Sequence, residues 1–131
     1  MPASDSPQAV DRYAAFTSLR FEHPDEHILS VVMDAGDAVN AVGAELHREL
    51  AEVWTVIDRD PEVRVAIVRS AGPSFSAGGS FDLVTSMADD FAARTRVLRE
   101  ARDLVYNVIN CSKPIVSAMR GPAVGAGLVV G

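Results

Sequence analysis

Two short runs of small residues are the places where the backbone of this chain could do chemistry. The first is Phe75-Ser76-Ala77-Gly78-Gly79-Ser80-Phe81 and the second is Gly121-Pro122-Ala123-Val124-Gly125-Ala126-Gly127. Each follows directly on a β-branched stretch that reads as a strand. Small residues let a ligand approach the main chain closely, and an N–H left without a partner there can donate to a carbonyl oxygen or a phosphate. The second run also leads into a helix, whose N-terminus offers unpaired N–H groups and the positive end of its dipole. Taken singly, runs of this kind also serve as tight turns or as sites of close helix packing. Neither is a nucleotide fingerprint: there is no GxxxxGK[ST], and the second run spaces its glycines GxxxGxG rather than GxGxxG.

The side chains offer less. Cys111 is the single cysteine, so no intrachain disulfide can form. It follows a helix end with no histidine near it in sequence, and no Cys/His cluster has zinc-ligand spacing, so neither a catalytic thiol nor a metal is implied. His23 and His27 flank a turn and read as surface residues. His47, beside Glu45, Arg48 and Glu49, reads as part of a solvated helix face. Asp82, Asp89 and Asp90 follow the first run and read as helix-start and solvent-facing charges, with Asp82 kept as a possible acid. Arg94, Arg96, Arg99 and Arg102 read as an exposed basic face that could meet a phosphate, and Lys113 as a cap at a strand start.

Periodicity supplies the elements that must position the two runs. Residues 17–21 and 27–33 (HILSVVM) predict two strands joined by the turn His23-Pro24-Asp25-Glu26. After a loop at 34–37, Asn40 can cap a helix whose apolar positions Leu46, Leu50, Val53, Trp54 and Ile57 have helical spacing. Residues 63–70 (VRVAIVRS) predict a largely buried strand, closed by Gly72-Pro73. Ser86 and Asp89 have capping-box spacing, and Phe91, Leu98, Ala101, Val105 and Val108 mark one face of a long helix ending near Asn110. Trp54, Phe91 and Leu98 read as core or subunit interface. Lys113-Pro114 opens a last strand that runs to Ala118. The βαβαβ alternation argues an α/β protein with parallel strands, and neighbouring strands would bring both small-residue runs to one edge of the sheet.

At 131 residues, 48% hydrophobic and 23% charged, the chain has the composition of one globular domain rather than of a disordered or fibrous segment. Its net charge of −6 provides no basic footprint for nucleic acid and no polybasic membrane anchor. The apolar stretch 123–130 falls far short of the roughly 20 residues of a membrane helix. Residues 1–10 lack the charged and apolar regions of a signal peptide, and together with the lone cysteine this fits the cytoplasm. Residues 1–11 read as a loose leader and 12–131 as structure. Residues 121–131 carry no capping group, so the chain reads as a fragment that stops inside a buried element.

In order along the chain, Asn40-Ala41 ahead of a helix, VAIVRSAGPSFSAGGSF at 65–81 and KPIVSAMRGPAVGAG at 113–127 resemble the enoyl-CoA hydratase/isomerase family, the crotonase superfamily. The likeness runs over residues 17–131 and corresponds to the N-terminal half of such an enzyme. It implies an α/β fold, a crotonase-like spiral of ββα units truncated here before the C-terminal helical region, in proteins that assemble as homotrimers or hexamers. It implies an acyl-CoA thioester as the substrate and no separate cofactor, since coenzyme A enters as part of that substrate. The family's shared chemistry is an oxyanion hole of two backbone N–H groups, which holds the thioester oxygen and stabilises an enolate-type intermediate. Carried onto this chain, the two donors fall on Gly79 and Ala126, and Ser76, Ala77 and Gly78 would lie along the substrate's path.

The departures from the family pattern decide which chemistry follows. The family's hydratases carry a glutamate two residues after the last glycine of the second motif. Here that position is Val129, and valine cannot transfer a proton. The family's aspartate just after the first donor is Ser80, with Asp82 two residues further on. The resemblance therefore implies thioester binding and polarisation, but not hydration by two glutamates. Isomerisation, hydrolysis, decarboxylation and C–C cleavage are the reactions of family members without the first glutamate. Two other readings stay open: a catalytically incompetent CoA-binding or assembly subunit, and an unrelated α/β domain in which the runs are only packing turns.

Overall fold

The computed structural model describes residues 11–131, so the expected leader lies, apart from Asp11, outside the described residues. Two strands, β1 (Leu19–Asp25) and β2 (Ile28–Met33), form an antiparallel hairpin. Its turn is later and tighter than the sequence predicts, because Asp25 pairs with Ile28 and only Glu26 and His27 remain between them. His27 has a φ of 61°, the left-handed conformation that favoured two-residue hairpin turns use. Pro24 falls inside β1 instead of in the turn. It is tolerated there because β1 is an edge strand whose register shifts between Glu22 and Asp25.

β3 (Val65–Ser70) pairs in parallel with β2, and β4 (Ile115–Ser117) pairs in parallel with β3, so the sheet runs β1-β2-β3-β4. Parallel neighbours need crossovers. Helix α1 (Ala44–Asp58) makes the first, and α2 (Phe81–Asp89) with α3 (Phe91–Asn110) makes the second, while α4 (Ala126–Val130) follows β4. Nearly every residue of β2 is buried, whereas β3 alternates, with Ala66, Val68 and Ser70 buried and the residues between them half-buried. The continuous apolar run of β3 predicts burial on both faces, but only one face meets the core.

On α1, Leu46, Leu50, Val53, Trp54 and Ile57 are all buried, as their spacing predicts. Asn40 does not cap this helix; Gly43 is its N-cap. Asn40 is instead a buried loop brace with a φ of 53°. Its Oδ1 accepts from the Ala35 N–H at 2.9 Å and its Nδ2 donates to the Phe75 carbonyl at 2.7 Å.

Where the sequence predicts one helix start at Ser86 and Asp89, the chain makes two helices with other caps. Ser80 accepts from the Leu83 N–H at 3.2 Å at the start of α2, and Asp90 accepts from the Ala92 and Ala93 N–H groups at 2.8 and 3.3 Å at the start of α3. The extended backbone at Asp90 resets the helical phase. The buried stripe of α3 is therefore Ala93, Val97 and Leu104, while Phe91 and Leu98 are 77% and 60% exposed. Glu100 and Asn107 fall on the same stripe by their three- and four-residue spacing, and the Asn107 Nδ2 donates to the Ala51 carbonyl of α1 at 2.7 Å. Arg94 turns back on α2 and donates to the Met87 and Ala88 carbonyls at 2.8 and 3.0 Å, so it leaves the expected basic face.

Buried polar anchors tie the layers together. The hydroxyl of Tyr13 donates to Asp60 Oδ2 at 2.7 Å, and burial together with this bond pushes its phenol well above its ordinary range. Lys113 caps the C-terminal end of α1, not the start of β4, by donating to the Ile57 and Asp60 carbonyls. The hydroxyl and the N–H of Ser112 both donate to Asp58 Oδ1 at 2.6 Å and hold that carboxyl below its ordinary value. No helix among the described residues is long and apolar enough to cross a membrane.

Candidate active site

Both small-residue runs leave the carboxyl ends of adjacent parallel strands, the first from β3 and the second from β4. They therefore emerge at one edge of the sheet, where ligands of open α/β sheets gather. A short parallel bridge then zips them together. Ser76 donates its N–H to the Pro122 carbonyl at 3.1 Å and accepts from the Val124 N–H at 2.9 Å. The loop before α1 closes on the other side of the first run. The Ala77 N–H donates to the Val39 carbonyl at 2.9 Å, the Val42 N–H to the Gly78 carbonyl at 2.8 Å, and the Ser80 N–H to the Val42 carbonyl at 2.8 Å.

This packing requires glycine at particular points. Gly121 has a φ of 68°, and a Cβ there would stand 2.0 Å from the Pro73 carbonyl oxygen. Gly127 is buried, and a Cβ there would stand 2.3 Å from the Ser76 Cβ. Gly127→Ala is accordingly expected to push α4 off the first run at a cost of about 1–3 kcal/mol. Urea unfolding of the variant checks this, and an unchanged midpoint would show that the two segments separate freely.

Across residues 76–80 an accounting of backbone donors singles out one group. The Ser76, Ala77 and Ser80 N–H groups all have carbonyl partners, and the Gly78 N–H donates to Ser76 Oγ at 3.1 Å. Among the described residues the Gly79 N–H has no acceptor, and Gly79 is exposed. In the second run the Ala126 N–H opens α4 and also has no acceptor among the described residues. Ser76 is fully buried, and its hydroxyl donates to the Asn40 carbonyl at 3.1 Å. Ala77 is exposed and Gly78 is buried with a φ of 87°. Asp82 stands exposed in the first turn of α2.

Ala126 and Val129 of α4 line a cavity of about 200 Å³ with His47 and Leu50 of α1 and Leu104 and Val105 of α3. Asp82 is not in that lining. His47 corrects the sequence reading of a solvated face. It is only 7% exposed, and its Nδ1 lies 2.7 Å from Glu100 Oε2 on α3. Because α1 packs against α3 as well as the sheet, its buried face is wider than its apolar residues alone mark out. His47 and Ala51, one turn apart, meet Glu100 and Asn107. The signal was present as the 93-97-100-104-107 spacing on α3, but two polar members break the apolar count.

Residues 24–131 match the family model described as enoyl-CoA hydratase/isomerase. The mitochondrial Delta(3,5)-Delta(2,4)-dienoyl-CoA isomerase of Homo sapiens is 29% identical over 126 residues, covering 87% of this chain and 38% of that protein. An enoyl-CoA hydratase of Mycobacterium tuberculosis is 29% identical over 102 residues, covering 77% of this chain and 38% of that protein. The crystal structure of an enoyl-CoA hydratase/isomerase from Mycobacterium paratuberculosis superposes with a TM-score of 0.82 at 32% identity, over 87% of this chain and 45% of that one. The chain thus spans about two-fifths of the length of these curated relatives.

Proposed function

Because this chain belongs to the enoyl-CoA hydratase/isomerase family, we propose that it acts on acyl-CoA thioesters by polarising the thioester carbonyl between the Gly79 and Ala126 N–H groups. The observation that carries this reading is the unmatched Gly79 N–H among residues 76–80, whose other four donors are committed. Membership also removes the reading of an unrelated domain with mere packing turns.

The chemistry follows from where charge develops. A thioester carbonyl accepts weakly in the ground state. When a proton leaves the carbon next to it, the oxygen gains the charge of an enolate, and two fixed N–H donors strengthen at that moment without having to reorganise. Gly79 lies in a loop held to its neighbours by backbone bonds, so the direction in which it presents its N–H is set before any ligand arrives. Ala77 and Gly79, exposed beside this point, would meet the chain of the coenzyme. An assembly of three or six copies belongs to the same proposal, and the exposed Phe81, Phe91 and Leu98 offer it apolar surface. Trp54, at 1% exposure, needs no such cover. Calorimetric titration of the purified protein with a short acyl-CoA tests the reading, and an absence of binding would reject it.

A specific observation also keeps a second reading in view. Val129 is 67% exposed and lines the cavity beside Ala126, where the family's hydratases carry a glutamate. A subunit that binds CoA without turning it over would show this substitution as well. Val129→Glu discriminates the two. In an active site lacking only this acid, it should raise hydration of crotonyl-CoA by at least about 10-fold, toward the 10²–10⁴-fold that general acid–base help supplies. A variant that binds crotonyl-CoA with no gain in hydration favours the non-catalytic subunit.

A further inference from the structure

Val129 leaves α4 without an acid, yet the cavity that it lines holds one side chain among the described residues able to exchange a proton, His47. From that juxtaposition we propose that His47, oriented by Glu100, moves the proton in this chain's acyl-CoA site, an inference that rests on the thioester reading above. The geometry is that of a base with its orienting carboxylate. The Nδ1 of His47 faces Glu100 Oε2 at 2.7 Å, with side-chain exposures of 9% and 14%. An ionised carboxylate can only accept, so Nδ1 carries the hydrogen and Nε2 is the nitrogen left for another partner. Nε2 has no hydrogen-bond partner among the described residues. Arg96 lies 3.9 Å from the other oxygen of Glu100, so the carboxylate keeps a cation on its outer side.

A purely structural role accounts for the pair poorly. Withdrawing an imidazole and a carboxylate from water costs free energy that their mutual attraction does not generally recover better than two well-packed apolar side chains would. The nearest turns of the same helices are filled by such side chains: Leu46 and Leu50 on α1, Val97 and Leu104 on α3. The pair interrupts that apolar packing, and its His47 stands in the wall of the cavity that Ala126 also lines.

The proposed step is a balanced proton transfer. The C–H bond next to the thioester carbonyl breaks and its electron pair forms the enolate C=C. The carbonyl π pair moves onto the oxygen between Gly79 and Ala126, and the proton goes to Nε2, giving an imidazolium beside Glu100. Once the imidazolium has traded that proton for one from solvent, its return to the same carbon completes an exchange of the α hydrogen. In an unsaturated acyl chain, return two carbons further along moves the double bond. No oxidant or reductant is required.

The test follows exchange of the α hydrogens of butyryl-CoA with D₂O by NMR. His47→Gln should slow exchange by roughly 10²–10⁴-fold, the range of general acid–base help, with the Kd for butyryl-CoA unchanged. Glu100→Gln, altering a positioning residue, should lower the exchange rate at saturation by a smaller factor, again without changing the Kd. An undiminished rate in His47→Gln, or a loss that appears only in Kd, overturns the assignment. If the Gly79→Pro variant loses exchange while His47→Gln keeps it, the thioester reading stands and the role of His47 alone fails. A protein that binds no butyryl-CoA overturns both. Should the His47 variant fail to fold, nitrogen-15 histidine spectra of the unaltered protein decide. Butyryl-CoA should shift the Nε2 resonance of His47, and an unmoved resonance overturns the inference.

Discussion

Gly79→Pro is expected to lower turnover of acyl-CoA thioesters by about 10²–10³-fold, the loss that follows removal of one oxyanion-hole donor, while the fold persists. The fold should persist because the substitution removes no bond the protein makes. The bridge between Val42 and Gly79 is built from the Gly78 carbonyl and the Ser80 N–H, and the Gly79 N–H takes no part in it. The residue before a proline is ordinarily restricted through its N–H and its Cβ, and Gly78 lacks the second. Gly79→Ala is the matching control. Its Cβ would meet Val84 Cγ2 at 3.6 Å and Leu83 Cδ2 at 3.7 Å, ordinary contacts, and the N–H remains. Steady-state kinetics of both variants, beside their thermal unfolding, check the expectation. If the proline variant turns over as fast as the alanine one, Gly79 donates to no transition state.

The largest expected loss of stability lies elsewhere, in Glu49→Ala. Glu49 is 0% exposed, and its carboxylate gathers the start of β1 onto α1. Oε1 accepts from the Thr17 N–H at 2.6 Å, and Oε2 accepts from the Ser18 and Leu19 N–H groups at 2.9 and 3.0 Å. Alanine would leave three backbone donors without their acceptor, each costing about 1–3 kcal/mol if it stays dry. Since the chain can relax at Thr17 and Ser18, the sum is not reached, and about 3–5 kcal/mol is expected. That is a large part of the roughly 5–15 kcal/mol by which a domain is ordinarily stable. Glu49→Gln should not restore it, because an amide NH₂ in place of one oxygen opposes donor to donor. Urea denaturation midpoints measure both, and a shift equivalent to less than about 1 kcal/mol would show that water replaces the carboxylate.

Much of this protein was legible before its structure because the relevant rules are local. The stripe Leu46, Leu50, Val53, Trp54 and Ile57 specifies α1 through neighbours one turn apart, and all five residues are buried. The short β-branched segments specify parallel strands, and the small-residue runs after β3 and β4 arrive at the same edge because those strands are neighbours. The identity of Val129, a side chain that cannot transfer a proton, is fixed by the chain alone. Legibility failed where a polar residue's role depends on what approaches it from afar. Asn40 has the composition of a helix cap but braces Phe75, 35 residues away. Phe91 and Leu98 have helical spacing, but the break at Asp90 sets the phase of α3, and the true stripe runs through Glu100 and Asn107.

The sequence by itself determined the α/β alternation, the two glycine-bearing runs and the residue types available for catalysis, since these depend on covalent order and on contacts within a turn of helix or a few residues of strand. Only the tertiary structure decided which of five consecutive N–H groups in residues 76–80 is left free. That choice is made by Val39, Val42 and Pro122 and by the Ser76 hydroxyl, which take up every donor but that of Gly79. Only the tertiary structure, too, turned His47 from a residue between charged neighbours into a buried imidazole on Glu100, 53 positions along the chain. The physical reason is the same in both cases: a polar group's role is set by the partner that replaces water, and that partner is brought by packing.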